Sequence, residues 1–83
     1  MVYTDGVHLI ADTIDELHEF ARMMGLKKEW FQARPCASFP HYDLTTRRAL
    51  ARAVGYGAQH KGMSEFVMEL RRIRDRLKQG GDW

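Results

Sequence analysis

Apolar residues recur three and four positions apart in three stretches of the chain, and that spacing predicts three amphipathic helices. In "TIDELHEFARMMGL" the stripe is Ile14, Leu17, Phe20, Ala21 and Met24. Thr13 and Glu16 form a capping box ahead of it, and Gly25 followed by Leu26 reads as a Schellman stop. In "RRALARAV" the stripe is Ala49, Leu50, Ala53 and Val54; Thr45 or Thr46 caps the start and Gly55 and Gly57 end the helix. The last helix carries Phe66, Leu70, Ile73 and Leu77 at helical spacing, with Ser64 as cap, an end near Gln79 and a stop at Gly80-Gly81. Its acids Glu65 and Glu69 come early and its basic residues late, as the helix dipole favours.

Between the helices the pattern shortens to strand length. "VYTD" (2–5) and "VHLIAD" (7–12) are β-branched, aromatic and apolar. Asp5-Gly6 between them is a two-residue hairpin signal; the competing reading is one strand bent at Gly6. "HYDL" after Pro40 predicts a short strand, the proline sitting at its permitted first position. "AQHKGM" (58–63) holds either a final short strand or a connector, and "KKEWFQARPCASFP" is irregular with one helical turn around Trp30. Strands alternating with helices predict a small layered α/β domain spanning residues 1–83, with a short mixed or partly parallel sheet and about three helices.

Composition narrows the function classes. At 45% hydrophobic and 29% charged the chain reads as an ordinary globular protein. A net charge of +2 is too small to argue for duplex DNA on its own, so nucleic acid is left open. The lone Cys36 makes neither an internal disulfide nor a zinc cysteine pair, and no base stands near it in sequence to activate it. No apolar run approaches the ~20 residues of a membrane span, and the start lacks a signal-peptide pattern. A cytoplasmic protein with no membrane partner is expected. A chain this short buries only about 60% of its unfolded surface, so a second copy or a ligand would add much to its stability, and a homo-oligomer is expected.

Candidate chemistry gathers at the ends of the predicted strands. Alternation along "HYD" puts His41 and Asp43 on one side and Tyr42 on the other. Asp12 occupies the same kind of place as Asp43, a strand end ahead of a threonine cap. If those strands are parallel neighbours, Asp12 and Asp43 share one edge with two helix N-termini, where open α/β sheets gather ligands. Asp5 joins them only if its strand runs the same way, which the hairpin reading forbids. Arg47 and Arg48 stand in a first helical turn, where the dipole disfavours cations, and this favours an anionic partner or an ion pair with Asp43.

Three uses follow. The first is capture of a small phosphate-bearing, nucleotide-like ligand by His8, His41, Asp43, Arg47 and Arg48, with Trp30 or Tyr42 available for stacking. The second is a hard-metal site in which Asp5, Asp12 and Asp43 hold Mg²⁺ or Mn²⁺ for phosphodiester hydrolysis, a histidine serving as acid or base. The third is a protein-interaction surface on the basic last helix, around Arg71, Arg72 and Arg76. Each competes with a structural alternative. Asp12 serves equally as turn chemistry, His41 and Asp43 as a pair fixing an imidazole tautomer, Trp30 and Phe31 as core anchors, and the arginines of the last helix as a solvated face. His18 reads as exposed on the polar face of the first helix, and His60 is uninformative.

The segments "HLIADTIDELHEFA", "WFQ" and "PHYDLT", then "GA" ahead of a Ser-Glu helix, resemble a family of small bacterial and phage proteins, domain of unknown function 4031. The resemblance covers most of residues 2–70. The matching polar positions are Asp5, His8, Asp12, Glu16, His18, Gln32, His41, Tyr42 and Asp43. The chain departs from the pattern by joining its first strands through a single Gly6 and by a longer last helix. The resemblance implies no established activity. It implies that His8, His18 and His41 belong to a shared pattern, and a phage setting, hence a host cytoplasm, suggests by analogy a counter-defence accessory capturing a nucleotide signal.

Overall fold

The computed structural model describes residues 1–80. In chain order it contains β1 (Val2–Thr4), β2 (His8–Ala11), α1 (Ile14–Met24), a 3-10 turn (Lys28–Trp30), β3 (Tyr42–Asp43), α2 (Arg47–Gly55), β4 (Gln59–His60) and α3 (Met63–Gly80). The strands form one mixed sheet in the order β3-β2-β1-β4. β1 and β2 are antiparallel, as are β2 and β3, whereas β4 runs parallel to β1. A single bridge between Gln32 and His41 extends the ladder beyond β3.

Side-chain alternation divides the sheet into two faces. Val2, Leu9, Ala11 and Tyr42 pack with Leu17, Phe20, Ala21 and Met24 of α1 and with Ala53 of α2. Tyr3 and Ile10 pack on the other side with Phe66, Ile73 and Leu77 of α3. The result is a three-layer sandwich, two helices on one face and the third on the other. Val54 falls outside the buried strip expected of it and is exposed, because α2 presents only a narrow face, centred on the fully buried Ala53.

The caps follow the sequence closely. Thr13 accepts from the Glu16 amide, and Gly25, at φ 81°, closes α1 while the Leu26 amide donates to the Ala21 carbonyl. Of the two threonines ahead of α2, Thr46 is the cap, accepting from the Ala49 amide. α3 starts at Met63, one residue ahead of the expected Ser64 cap, and the expected Gly80-Gly81 stop lies partly outside the described residues.

Two expectations about the sheet change. Residues 2–11 form a hairpin, but Thr4 pairs with Leu9, so four residues and not two make the connection. Asp5 organises them: its Oδ1 accepts from the amides of Val7 and His8, and Gly6 supplies the positive φ of 108°. The parallel arrangement that would set Asp12 beside Asp43 does not occur, because β2 and β3 are antiparallel with His8 opposite Asp43. Asp12 therefore lies four residues along the strand from His8, about 13 Å away at strand rise.

A candidate metal centre of two histidines and an aspartate

The register of β2 against β3 builds the site. His8 and Asp43 are paired across the ladder, and His41 lies two residues before Asp43 on the same side. That side is the α3 face: the His8 ring lies 5.2 Å from the His41 ring, 5.6 Å from Phe39 and 6.4 Å from Phe66. One ligand atom from each of His8, His41 and Asp43 falls within 4.8 Å of the other two. His41 is buried, while the His8 and Asp43 side chains are 36% and 39% exposed, so the cluster has a wall within the protein and a mouth to solvent.

Each member is held from behind by a further group. Nδ1 of His8 faces Oδ2 of Asp5 at 2.9 Å. The Asp5 carboxyl is raised by burial, but the His8 and Val7 amides and the His8 ring outweigh this and leave its pKa below the ordinary value. An ionised Asp5 accepts, so His8 Nδ1 carries its proton and Nε2 carries the lone pair. Nδ1 of His41 faces the Phe39 carbonyl at 2.9 Å, an acceptor only, so the same tautomer follows there. Oδ2 of Asp43 accepts from the Gln32 amide at 2.6 Å. What remains unused is Nε2 of each imidazole and Oδ1 of Asp43.

These remaining atoms are electron-pair donors. Nε2 of His41 and Oδ1 of Asp43 face each other at 3.2 Å with no hydrogen of a neutral imidazole between them. In that tautomer both atoms present lone pairs to the space between them, where a cation would be attracted. Ligand atoms about 2.1 Å from one metal ion stand about 3.0 Å apart at right angles and about 3.4 Å apart at a tetrahedral angle. The His41–Asp43 spacing fits that range, and the His8 ligand atom lies within 4.8 Å of both. The cluster can thus hold a divalent metal ion, with hydrogen-bonded outer partners of the kind that orient metal ligands.

Beside the cluster a cleft of about 470 Å³ runs along the sheet edge between the 3-10 turn and α2, lined by Leu26, Glu29, Trp30, Gln32, Asp43, Thr45 and Ala49. Trp30 is half exposed in its wall, with the Lys27 ammonium 5.7 Å from the ring centre. Arg47 and Arg48 are exposed in the first turn of α2. No carboxylate among the described residues lies within ion-pair distance of either, so the Asp43 ion pair is not formed.

The other candidates are placed elsewhere. Asp12 bonds Arg72 at 2.6 Å and the Met1 amine at 3.2 Å; burial raises its pKa but these cations carry it below the ordinary value. Arg72 also reaches Glu69 and the Tyr3 hydroxyl, so this arginine fastens α3 to the sheet. Arg71 and Arg76 of the same helix are exposed. Tyr42 faces away from the cluster, 1% exposed, and its hydroxyl lies 2.8 Å from Nδ1 of His18, which is therefore part of a buried-edge contact and not simply solvated. His60 lies beside Gly6 on β4. Cys36 is exposed.

Gln32 as a partner of the carboxylate, and Asp5 as a partner of the imidazole, escaped the reading of residues as a metal set. Gln32 stands in a segment without strand periodicity, and only its bridge to His41 brings it beside Asp43. The Asp5-x-x-His8 spacing in a turn was the available signal for the other.

Residues 4–73 match the family described as "Protein of unknown function (DUF4031)". No curated protein and no solved structure matches the chain. Among the described residues no helix is long and apolar enough to cross a membrane.

Proposed function

The chain belongs to the DUF4031 family, and from that premise we propose that it is a metal-dependent phosphodiesterase whose divalent ion is held by His8, His41 and Asp43. One observation carries the reading: both Nδ1 atoms and one carboxylate oxygen are engaged by outer partners, while each of the three residues brings a ligand atom within 4.8 Å of the other two. Three protein ligands leave positions for water and substrate, the pattern of a catalytic and not a closed structural site. Two imidazoles and one carboxylate suit Mn²⁺, Fe²⁺ or Zn²⁺ better than Mg²⁺, which prefers oxygen ligands. The ion would polarise a phosphoryl oxygen and supply a nucleophilic hydroxide near neutral pH.

The chain's own residues support the diester part of the proposal. Arg47 and Arg48, which meet no carboxylate among the described residues, offer positive charge on the helix that begins just beyond Asp43, suited to the phosphate that the sequence already suggested as ligand. Asp12 takes no part, being bound to Arg72, and Asp5 acts through His8 and not as a ligand.

Thermal denaturation with Mn²⁺ or Zn²⁺ tests the site. A saturable rise in melting temperature is expected, lost in Asp43→Asn and in His41→Ala, and accompanied by hydrolysis of bis(p-nitrophenyl) phosphate. An unchanged melting temperature at millimolar metal, with both ions, overturns the proposal. A metal shift without hydrolysis of any diester leaves a metal-binding protein and rejects the enzyme.

A further inference from the structure

The edge cleft ends on a metal ligand. Asp43 belongs both to the cluster and to the cleft lining, and Gln32, which holds its second oxygen, lines the same cleft. A molecule lying in the cleft would therefore extend one end to the ion. The walls beyond are flat and apolar: the half-exposed Trp30 indole, with Leu26 and Ala49. A volume of about 470 Å³ lies within the roughly 300–1,000 Å³ of small-ligand sites. An exposed indole in such a wall is a stacking surface for an aromatic ring of any sequence or substituent.

Resting on the metal reading, we infer that the phosphodiester is that of a nucleoside, with its base stacked on Trp30 and its phosphate at the Asp43 end. The ion at the Asp43 end sets this direction. The cleft holds two carboxylates, Asp43 and Glu29. Glu29 repels phosphate but accepts a hydrogen bond from a base amino group. Asp43 repels phosphate too until a divalent ion reverses the local charge. The cleft therefore takes a nucleotide only after the metal, and a metal-free protein does not bind one. Arg47 and Arg48 are exposed on the helix that follows Asp43, and the Lys27 ammonium stands 5.7 Å from the Trp30 ring centre at the other end.

The chain has two tryptophans, so Trp83→Phe leaves Trp30 as the single indole reporter. The experiment titrates that protein, with and without saturating Zn²⁺, with the four common nucleoside monophosphates and with ribose 5-phosphate. Quenching of Trp30 by at least one nucleoside monophosphate is expected with Zn²⁺ and absent without it. Ribose 5-phosphate is expected to bind at least tenfold more weakly. In Trp30→Ala, calorimetry is expected to show nucleotide affinity lowered at least tenfold while the Zn²⁺ melting shift persists. A flat nucleotide titration in a protein that does bind Zn²⁺ overturns this inference alone. Equal binding of ribose 5-phosphate, or equal nucleotide binding without metal, also overturns it. Failure to bind Zn²⁺ and Mn²⁺ removes both this inference and the metal reading beneath it.

Discussion

His8 shows how one side chain's role depends on the atom behind it. Its Nδ1 is committed to Asp5, and this leaves Nε2 as the nitrogen with a lone pair to offer. Asp5→Asn separates the two duties of that aspartate. The asparagine Oδ1 still accepts from the Val7 and His8 amides and keeps the turn, but its NH₂ does not accept the imidazole proton. Metal affinity is expected to fall about 10- to 100-fold, the usual cost of losing an outer partner, while the metal-free protein still melts cooperatively at a modestly lower temperature, since the ionised carboxylate also contributes to stability. Parallel calorimetric titration and thermal melts check both halves. The shared face of His41 and Asp43 was legible in their i, i+2 spacing along a strand. Asp12 misled, because its carboxylate at a strand end looks the same in sequence whether it meets a metal or, as here, an arginine from α3.

At the scale of elements, local signals and long-range pairing were unequally readable. Caps are written within a few residues: Thr13 and Gly25 act where the sequence placed them, and Thr46 is one of the two threonines it offered for α2. Gly25 has a positive φ of 81°, while a Cβ there would meet nothing closer than Arg52 at 3.9 Å. Gly25→Ala should therefore cost only backbone strain, about 1–2 kcal/mol, read as a lower denaturant midpoint with an unchanged slope. Thr46→Ala should cost about 1 kcal/mol by exposing the start of α2. Strand direction has no such local mark. Whether β3 lies parallel or antiparallel to β2 depends on the path of residues 25–41, an irregular segment with no periodicity to read. That single undetermined direction decided which aspartate met which histidine.

For the whole molecule, the layered α/β class followed from alternating periodicities, and the sheet order did not. The three layers are fastened by a polar clamp as well as by apolar packing. Arg72 of α3 reaches Asp12 at the end of β2, Glu69 on its own helix and the Tyr3 hydroxyl of β1. Burial raises the Asp12 carboxyl, and Arg72 and the Met1 amine outweigh it to bring the pKa down; Glu69 is lowered first by Arg72. A carboxylate with a depressed folded pKa contributes stability above its unfolded value, near 4, and loses it as pH falls through the folded value. Stability should therefore drop as acid is added below about pH 4. Arg72→Met should flatten that drop and lower stability at neutral pH. Urea denaturation at successive pH values checks this, and an unaltered acid limb in the variant would refute the clamp.

β3 is two residues long, and Tyr42 within it is buried on the opposite side from the His8–His41–Asp43 cluster, its hydroxyl on His18. A slip of one residue along β2 would exchange the sides of Tyr42 and Asp43, driving a carboxylate into the apolar layer and a phenol toward the two imidazoles. The buried ring is thus the peg that keeps this strand from sliding. The spacing of the cluster on one face is guarded from the far face, by a side chain that takes no part in it.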